Sequence, residues 1–163
     1  MTKVLTAEGW AYIVLVVDWY TKKIVGHFCG EQSKSWHWLV ALNKAVNRQF
    51  PQGVRESGVE LNLMSDNGSQ PTSISFMRAC RDLGIKQAFT SYSNPKGNAD
   101  TERMMRTLKE ELIWLQEWQS IDELKTVLDE FVEYFNENYL HSALQYKTPN
   151  QFEKEQMTLN LAA

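Results

Sequence analysis

The sequence is short of cysteine, proline and glycine, with 2 Cys, 4 Pro and 8 Gly among its 163 residues. Cys29 and Cys80 have no CxxC spacing and no adjacent histidine. That pattern excludes a disulfide framework and a zinc site of the usual cysteine spacing. We therefore expect two inert thiols in the core of a protein of the reducing cytosol.

No long hydrophobic run is present either. The longest, Ala11 to Val17, is far too short to span a bilayer, which takes about 20 apolar residues. The chain does not open with a charged segment followed by an apolar stretch, so no secretion signal is predicted. Internal repeats and low-complexity segments are also absent. We expect a cytoplasmic protein without a membrane partner.

An excess of basic residues is missing as well, since the net charge is −3. Nucleic-acid binders usually present a basic surface, so this total argues mildly against one. The charge is unevenly divided, however, at +3 for residues 1–100 and −6 for residues 101–163. The acids concentrate in residues 110–138, which we interpret as the solvated faces of two helices. A site for a polyanion should therefore lie elsewhere.

Apolar side chains are plentiful enough for one packed domain. Hydrophobic residues make up 43% and charged residues 23%, which are ordinary globular values and argue against disorder. The length also suits a single domain. We expect one domain over residues 1–155, followed by a frayed tail over residues 156–163.

The order of predicted elements is that of an α/β protein. Strands are predicted at residues 2–6, 10–20, 24–30, 59–64 and 85–91, and helices at 33–50, 73–84, within 98–111 and after Ser120. Tight turns join the first three strands, which indicates an antiparallel meander. Helices then alternate with the last two strands, as in α/β layouts.

Two apolar stripes predict the buried faces of the C-terminal helices. The first consists of Met105, Leu108, Leu112 and Leu115, and the second of Ile121, Leu124, Leu128, Phe131 and Phe135. Ser120 and Glu123 form a capping box that begins the second of these helices. Asn98 or Asp100 is available to cap the first.

An acid, Asp66, stands where the fourth predicted strand ends, in the stretch LNLMSDNGSQ. Asn67-Gly68 is a strong hairpin signal, so a solvated turn acid is the simple interpretation. In α/β sheets, however, functional groups cluster at the carboxyl ends of strands. Asp66 is therefore also a candidate site residue.

A second acid, Glu102, falls in the first turn of a predicted helix, where the helix dipole favours its ionised form. Arg106 and Lys109 follow at i+4 and i+7, and surface ion pairing is the simple interpretation. If Asp66 and Glu102 lay close together, they would repel each other unless a cation lay between them. Mg²⁺ suits such oxygen ligands, and the two bases would hold a phosphate chain beside it. This combination fits phosphodiester chemistry.

Four motifs stand in order along the chain: VVDWYTKKIVG at 16–26, DNGSQPTS at 66–73, NADTERMMRTLKEE at 98–111 and HSALQYKTPNQF at 141–152. Together they resemble the catalytic core of the DDE transposase and retroviral-integrase superfamily. Within it, the sequence is most similar to bacterial insertion-sequence transposases with an integrase-type core. The resemblance covers nearly the whole chain and counts strongly against Asp66 as a mere hairpin acid.

The resemblance implies a ribonuclease-H-like fold, α/β, with a five-stranded mixed sheet and helices on both faces. It implies cleavage and joining of DNA strands with two Mg²⁺ (or Mn²⁺) ions in the complete site. Asp66 would be the second metal carboxylate and Glu102 the third.

The resemblance also implies DNA contacts, made by Lys109, Arg106, Asn98, Lys96 and Asn67. Lys96 and Asn98 belong to a loop, residues 94–98, that would flank the scissile strand. The expected partners are DNA (element ends and target) and a second copy of the chain, at the bacterial nucleoid. No helix-turn-helix is visible, so recognition of element ends would need an upstream DNA-binding segment or a partner chain.

One departure from the family pattern concerns the first acid of the triad, which the resemblance places immediately before Met1. Asp18 is a poor substitute, because it follows a neighbouring antiparallel strand and a turn role suits it better. The chain is then either a fragment or mis-started frame, or a degenerate remnant. Accordingly, the expected function is either a transposase core impaired by the missing acid or a non-catalytic module that binds DNA or dimerises. His141, in the last motif, is assigned a structural role.

Overall fold

The computed structural model describes residues 1–90 and 99–161, with side chains to residue 158. The strands in these ranges are β1 (Thr2–Thr6), β2 (Gly9–Val17), β3 (Ile24–Gly30), β4 (Leu61–Ser65) and β5 (Ile85–Phe89). The helices are α1 (Ser35–Gln49), α2 (Ile74–Leu83), α3 (Ala99–Glu111), α4 (Ile121–Asn138) and α5 (Pro149–Leu161). None of these helices is long and apolar enough to cross a membrane.

The strands form two ladders. β1, β2 and β3 make the predicted antiparallel meander, and β4 pairs with β5 in parallel. The expected mixed sheet of five strands is thus present as three strands plus two, with no ladder between β1 and β4 in the described ranges.

Helices cover both faces of the meander. Gly26 packs against α1, whereas Cys29 belongs to the buried cluster that α3 and α4 form with β1 and β2. Residues three apart on a strand point to opposite faces, so these helices lie on opposite sides. A second cluster joins α1 and α2 to β4 and β5. The α/β architecture with helices on both faces is confirmed.

Both cysteines are buried and unpaired, as expected. Burial raises the pKa of the Cys29 thiol to about 11, and it does the same for Cys80. A thiol of that pKa carries almost no thiolate at neutral pH, so both side chains act as small apolar residues.

The apolar stripe predicted for α3 is partly wrong. Leu108 and Leu112 are buried, but Met104 rather than Met105 is the fully buried methionine, and Leu115 is 70% exposed. Met104 is buried because it lies one turn before Leu108 on the same face of α3. Leu115 is exposed because α3 ends at Glu111 and a short 3₁₀ turn, Ile113–Leu115, changes the periodicity. The stripe of α4 is confirmed, because all five of its predicted residues are buried.

The C-terminal segment is helical where a frayed tail was predicted. Helix α5 runs through to Leu161, with Pro149 at its start, a position that favours proline. Thr148 and Gln151 cap this start reciprocally, each accepting the other's main-chain N–H at 3.2 Å. Tyr20 donates a hydrogen bond to the Gln156 side chain at 2.9 Å, which joins the helix to the β2–β3 turn.

Gly26 lies directly against the main chain of α1, and we expect Gly26→Ala to destabilise the protein. A Cβ there would lie 2.2 Å from the Ala41 carbonyl oxygen and 2.9 Å from the Ala45 nitrogen. Both atoms belong to the main chain, so the helix would have to move. Overpacking of this kind costs about 1–3 kcal/mol in free energy of unfolding, which urea denaturation measures.

Gly30→Ala, in the same strand, is the matched control. Its Cβ would meet the tip of the Phe28 ring at 2.7 Å, and a side chain can turn away where a helix backbone cannot. We expect a loss below about 1 kcal/mol. Equal losses for the two variants would contradict the close-contact explanation.

Candidate active site

Asp66 lies at the carboxyl end of β4, where the sequence places it. Its Oδ1 accepts the Gly68 main-chain N–H at 3.0 Å, which closes an Asx turn. The chain then continues into α2 instead of returning as a hairpin, because β4 pairs in parallel with β5. The hairpin interpretation of Asp66 is therefore wrong.

The loop after β4 is tied to the end of β5 by two hydrogen bonds. The Asn67 side-chain amide donates to the Thr90 carbonyl at 2.7 Å, and the Thr90 N–H donates to the Ser65 carbonyl at 2.9 Å. These bonds fix the orientation of the turn that carries Asp66. They also engage one of the two side-chain N–H groups of Asn67, which the sequence suggested for DNA contact.

Glu102 is exposed in the first turn of α3. Together with Asp66 it lines a cavity of about 600 Å³. Met1 and Thr101 also line this cavity, and its deeper walls are apolar, among them Leu63 and Phe76. The fold thus brings to one cavity two acids that 35 residues separate in the sequence.

The chain's first amine belongs to the same neighbourhood. Burial lowers the pKa of the Met1 amine, the Asp66 carboxylate raises it, and Lys109 lowers it further. Asp66 and Lys109 therefore both lie within electrostatic reach of Met1. Met1 was not a predicted site residue. Its residue type gives no sequence signal, because Met1 reaches the cavity only through its position directly before β1.

The other residues predicted to contact DNA do not line the cavity that Asp66 and Glu102 share, as far as the described residues show. Lys109 is half-buried, whereas Arg106 is exposed on α3 with its Nε 3.9 Å from the Glu110 carboxylate. Arg106 thus forms a long i,i+4 ion pair on the helix surface, in line with the surface ion pairing that was the alternative to a DNA contact. Lys96 and Asn98, with the rest of the predicted loop 94–98, lie outside the described residues.

The cap of α3 was predicted at Asn98 or Asp100. Asp100 is already inside the helix, and its carboxylate accepts a hydrogen bond from Lys22 Nζ at 3.0 Å. Its charge is directed to the β2–β3 turn rather than to the helix N–H groups. The only sequence signal for this ion pair was the presence of Lys22 in the first motif. The motif did not indicate that Asp100 is its partner.

Asp18 is a turn acid, as expected. Its carboxylate accepts hydrogen bonds from the main-chain N–H of Tyr20 at 3.0 Å and from the Thr21 hydroxyl at 2.7 Å. Asp18 borders the same large cavity as Asp66. Its oxygens are nevertheless used within the turn.

His141 lies in an aromatic cluster, with ring centroids 5.0 Å from Phe135 and 5.1 Å from Tyr139. Burial is the main cause that lowers its pKa, and the charges of Lys22 and Arg103 lower it further. A neutral ring packed among aromatic side chains fits the structural role predicted for it.

The donor set of the site fits a hard divalent cation. Asp66 and Glu102 offer carboxylate oxygens, and Mg²⁺ commonly binds one or two carboxylates while it keeps several waters. Within residues 1–90 and 99–161, no group of three or more His, Cys, Asp or Glu side chains is arranged to hold a metal ion. Two carboxylates by themselves predict weak binding.

Comparison with known proteins identifies the family of the chain. Two families described as integrase core domain match the chain, one over residues 1–95 and the other over residues 83–149. The chain belongs to the integrase core domain family. The transposase for insertion sequence element IS904 of Lactococcus lactis subsp. lactis (strain IL1403) is 30% identical over 155 residues, covering 94% of this chain and 59% of the relative.

A second relative, the putative transposase InsK for insertion sequence element IS150 of Escherichia coli (strain K12), is 27% identical over 144 residues, covering 88% of this chain and 49% of the relative. The chain spans about half the length of the curated relatives it matches, between 49% and 59% of each.

Solved structures confirm the ribonuclease-H-like fold of this integrase core. The catalytic core domain of BIV integrase has a TM-score of 0.69 at 17% identity, covering 99% of this chain and 95% of that one. The HTLV-2 integrase catalytic core domain in complex with magnesium (trimeric form) has a TM-score of 0.65 at 16% identity, covering 93% and 90%.

Proposed function

We propose that residues 1–155 are the catalytic core of an insertion-sequence transposase that cleaves and joins DNA strands at a divalent-metal site formed by Asp66 and Glu102. The observation that carries this proposal is that both acids line one cavity in a chain of the integrase core family. One acid follows a strand of the sheet and the other begins a helix, so two separate elements converge on the site.

Asp66 and Glu102 would hold Mg²⁺ or Mn²⁺, and the HTLV-2 core was solved with magnesium. Bound metal, two ions in the complete site, would activate the attacking oxygen and stabilise the leaving one. Lys109 lies close enough to Met1, which lines the cavity, to lower the pKa of the Met1 amine, so its positive charge could serve a DNA phosphate beside the cavity. Arg106, exposed on the same helix, would extend this contact along the strand.

A third carboxylate would come from the residue that precedes Met1 in a longer chain, as the resemblance implies. Two observations support that position. Met1 lines the cavity together with Asp66 and Glu102, and the Asp66 carboxylate is near enough to raise the pKa of the Met1 amine. A side chain one residue earlier would therefore start from the rim of the same cavity.

The proposed partners are DNA ends, target DNA and a second copy of the core, at the nucleoid of a bacterial cytoplasm. Lys96, Asn98 and Asn67 remain proposed DNA contacts beside Lys109 and Arg106. The core by itself should bind DNA weakly and with a steep dependence on salt, since phosphate contacts dominate such binding. Selection of element ends would come from an upstream segment or a partner chain.

The metal site can be tested by Mn²⁺ titration of the ¹⁵N-labelled chain, followed by NMR. Paramagnetic Mn²⁺ should broaden the amide signals of Asp66 and Glu102 first. We expect Asp66→Asn to weaken Mn²⁺ binding at least about tenfold, because loss of even an outer partner of a metal ligand has an effect of that order.

Glu110→Gln, an exposed acid on the same helix as Glu102, is the matched control and should leave the titration unchanged. Broadening spread evenly over surface acids would contradict the proposed site. If the chain bound short DNA while Mn²⁺ did not collect at Asp66 and Glu102, the non-catalytic DNA-binding alternative would replace it.

A further inference from the structure

The first turn of α3 carries Glu102 but has little anchorage of its own. The first fully buried residue of the helix is Met104, and Leu108 follows one turn later. Residues 99–103 are exposed or half-buried. Among the described residues, the Lys22–Asp100 pair is the one hydrogen bond or ion pair that joins residues 99–103 to another element.

The Lys22–Asp100 pair and the Glu102 side chain lie on different sides of α3. Asp100 and Glu102 are two positions apart on a helix, so they point to nearly opposite sides of α3. Glu102 faces the cavity, and Asp100 contacts Lys22 of the β2–β3 turn at 3.0 Å. The pair therefore anchors the first turn of α3 through the side of the helix opposite the Glu102 side chain.

The turn that presents Lys22 is itself well fixed. Lys22 has φ 59°, a left-handed conformation that is costly for a residue with a Cβ. Its neighbours Thr21 and Lys23 are both buried, with 5% and 6% exposure, while the Lys22 side chain is directed to α3. Asp18 accepts the Thr21 hydroxyl within the turn, which stabilises this conformation.

Helix α5 braces the same turn from the other side. Lys23 pairs with Glu153, and the Tyr20 ring packs edge-on against Phe152 with centroids 5.4 Å apart. Two sequence motifs that the metal site does not explain, VVDWYTKKIVG and HSALQYKTPNQF, thus meet at one turn.

We propose that Lys22 is a positioning residue for Glu102, acting through Asp100. The ion pair connects a turn braced by α5 to the first turn of α3 and so restricts where the Glu102 carboxylate can lie. This role rests on the proposed metal site. It also explains the left-handed backbone conformation of Lys22. That conformation presents the Lys22 ammonium group to Asp100, which lies 78 positions further along the chain.

The test combines two NMR measurements on the whole ¹⁵N-labelled chain, with Lys22→Met, Asp100→Asn, the double variant and Lys22→Arg. Methionine keeps an unbranched stem, so the backbone strain at Lys22 is unchanged. Without metal, Lys22→Met should raise amide exchange at residues 102–106, the first in α3 whose main-chain N–H can bond within the helix, by about two- to fivefold, the scale expected for a half-exposed ion pair. With Mn²⁺, broadening at Glu102 should weaken by a similar factor, while broadening at Asp66 stays.

The double variant should match either single variant, because both changes remove the same interaction. Lys22→Arg should restore both measurements. Lys86→Met, which breaks a 2.9 Å pair with Glu60 far from α3, is the matched control and should change neither.

Unchanged exchange in Lys22→Met, additive effects in the double variant, or failure of Lys22→Arg to restore the signals would overturn the positioning role while leaving the metal site intact. Absence of Mn²⁺ broadening at both acids of the unaltered chain would overturn the metal site, and the role of Lys22 toward Glu102 with it. Exchange data would still report separately whether Lys22 anchors α3.

Discussion

An aspartate placed immediately before Met1 is expected to turn a weak metal site into one that cleaves DNA. The extended chain would carry three carboxylates around the cavity that Met1, Asp66 and Glu102 already line. A further ligand should tighten Mg²⁺ binding by about tenfold or more. Metal-dependent nicking of element-end DNA should then appear when the upstream DNA-binding part is also supplied.

The comparison that decides this prediction is the same extension with asparagine before Met1. Asparagine has nearly the same shape but no charge, so it should leave both Mg²⁺ binding and nicking close to the level of the unextended chain. Asp66→Asn in the aspartate-extended chain should abolish nicking again. If the aspartate and asparagine extensions behaved alike, the alignment of MTKV just after the first catalytic acid would be wrong.

Asn136→Leu is expected to cause the largest loss of stability among the substitutions considered. Asn136 is 1% exposed in α4 and hydrogen-bonds both main-chain groups of Ile24 at the start of β3, each at 2.9 Å. Leucine would leave the buried N–H and C=O of Ile24 without partners. At about 1–3 kcal/mol for each group, the free energy of unfolding should fall by about 2–6 kcal/mol.

Urea denaturation followed by circular dichroism measures this loss. The matched control is Asn138→Leu, the same change at an exposed position two residues later in α4, with an expected effect within about 0.5 kcal/mol. Since a domain of this kind has a total stability of about 5–15 kcal/mol, Asn136→Leu should also lower the yield of folded protein. Equal losses at the two positions would show that the Ile24 hydrogen bonds contribute little.

Local rules predicted the elements well where one segment contains the whole signal. Gly84 ends α2 with φ 79°, a conformation that glycine adopts without strain, and Ser120 caps α4 by accepting the Glu123 N–H at 3.0 Å. The same rules failed at Leu115 and in residues 156–161. At Leu115 the outcome depended on a 3₁₀ turn, and at Gln156 on a hydrogen bond from Tyr20 of the β2–β3 turn, neither of which leaves a periodic pattern.

In the candidate site, too, the sequence predicted the residues but not how distant segments come together. The motifs named Asp66 and Glu102 in advance, and the structure places both beside one cavity. Asn67-Gly68 alone could not decide between a hairpin and a parallel pair after β4, whereas the four motifs together already counted against the hairpin. The partner strand β5 decided it.

By itself, the sequence determined the order of strands and helices, the family and the two acids of the proposed metal site. Only the tertiary structure decided that Asp66, Glu102 and Met1 line one cavity, and that Lys22 reaches Asp100 across 78 positions. The physical reason is range: caps, turns and apolar periodicity are set by neighbours a few residues apart. Contacts between distant segments depend on how whole elements pack.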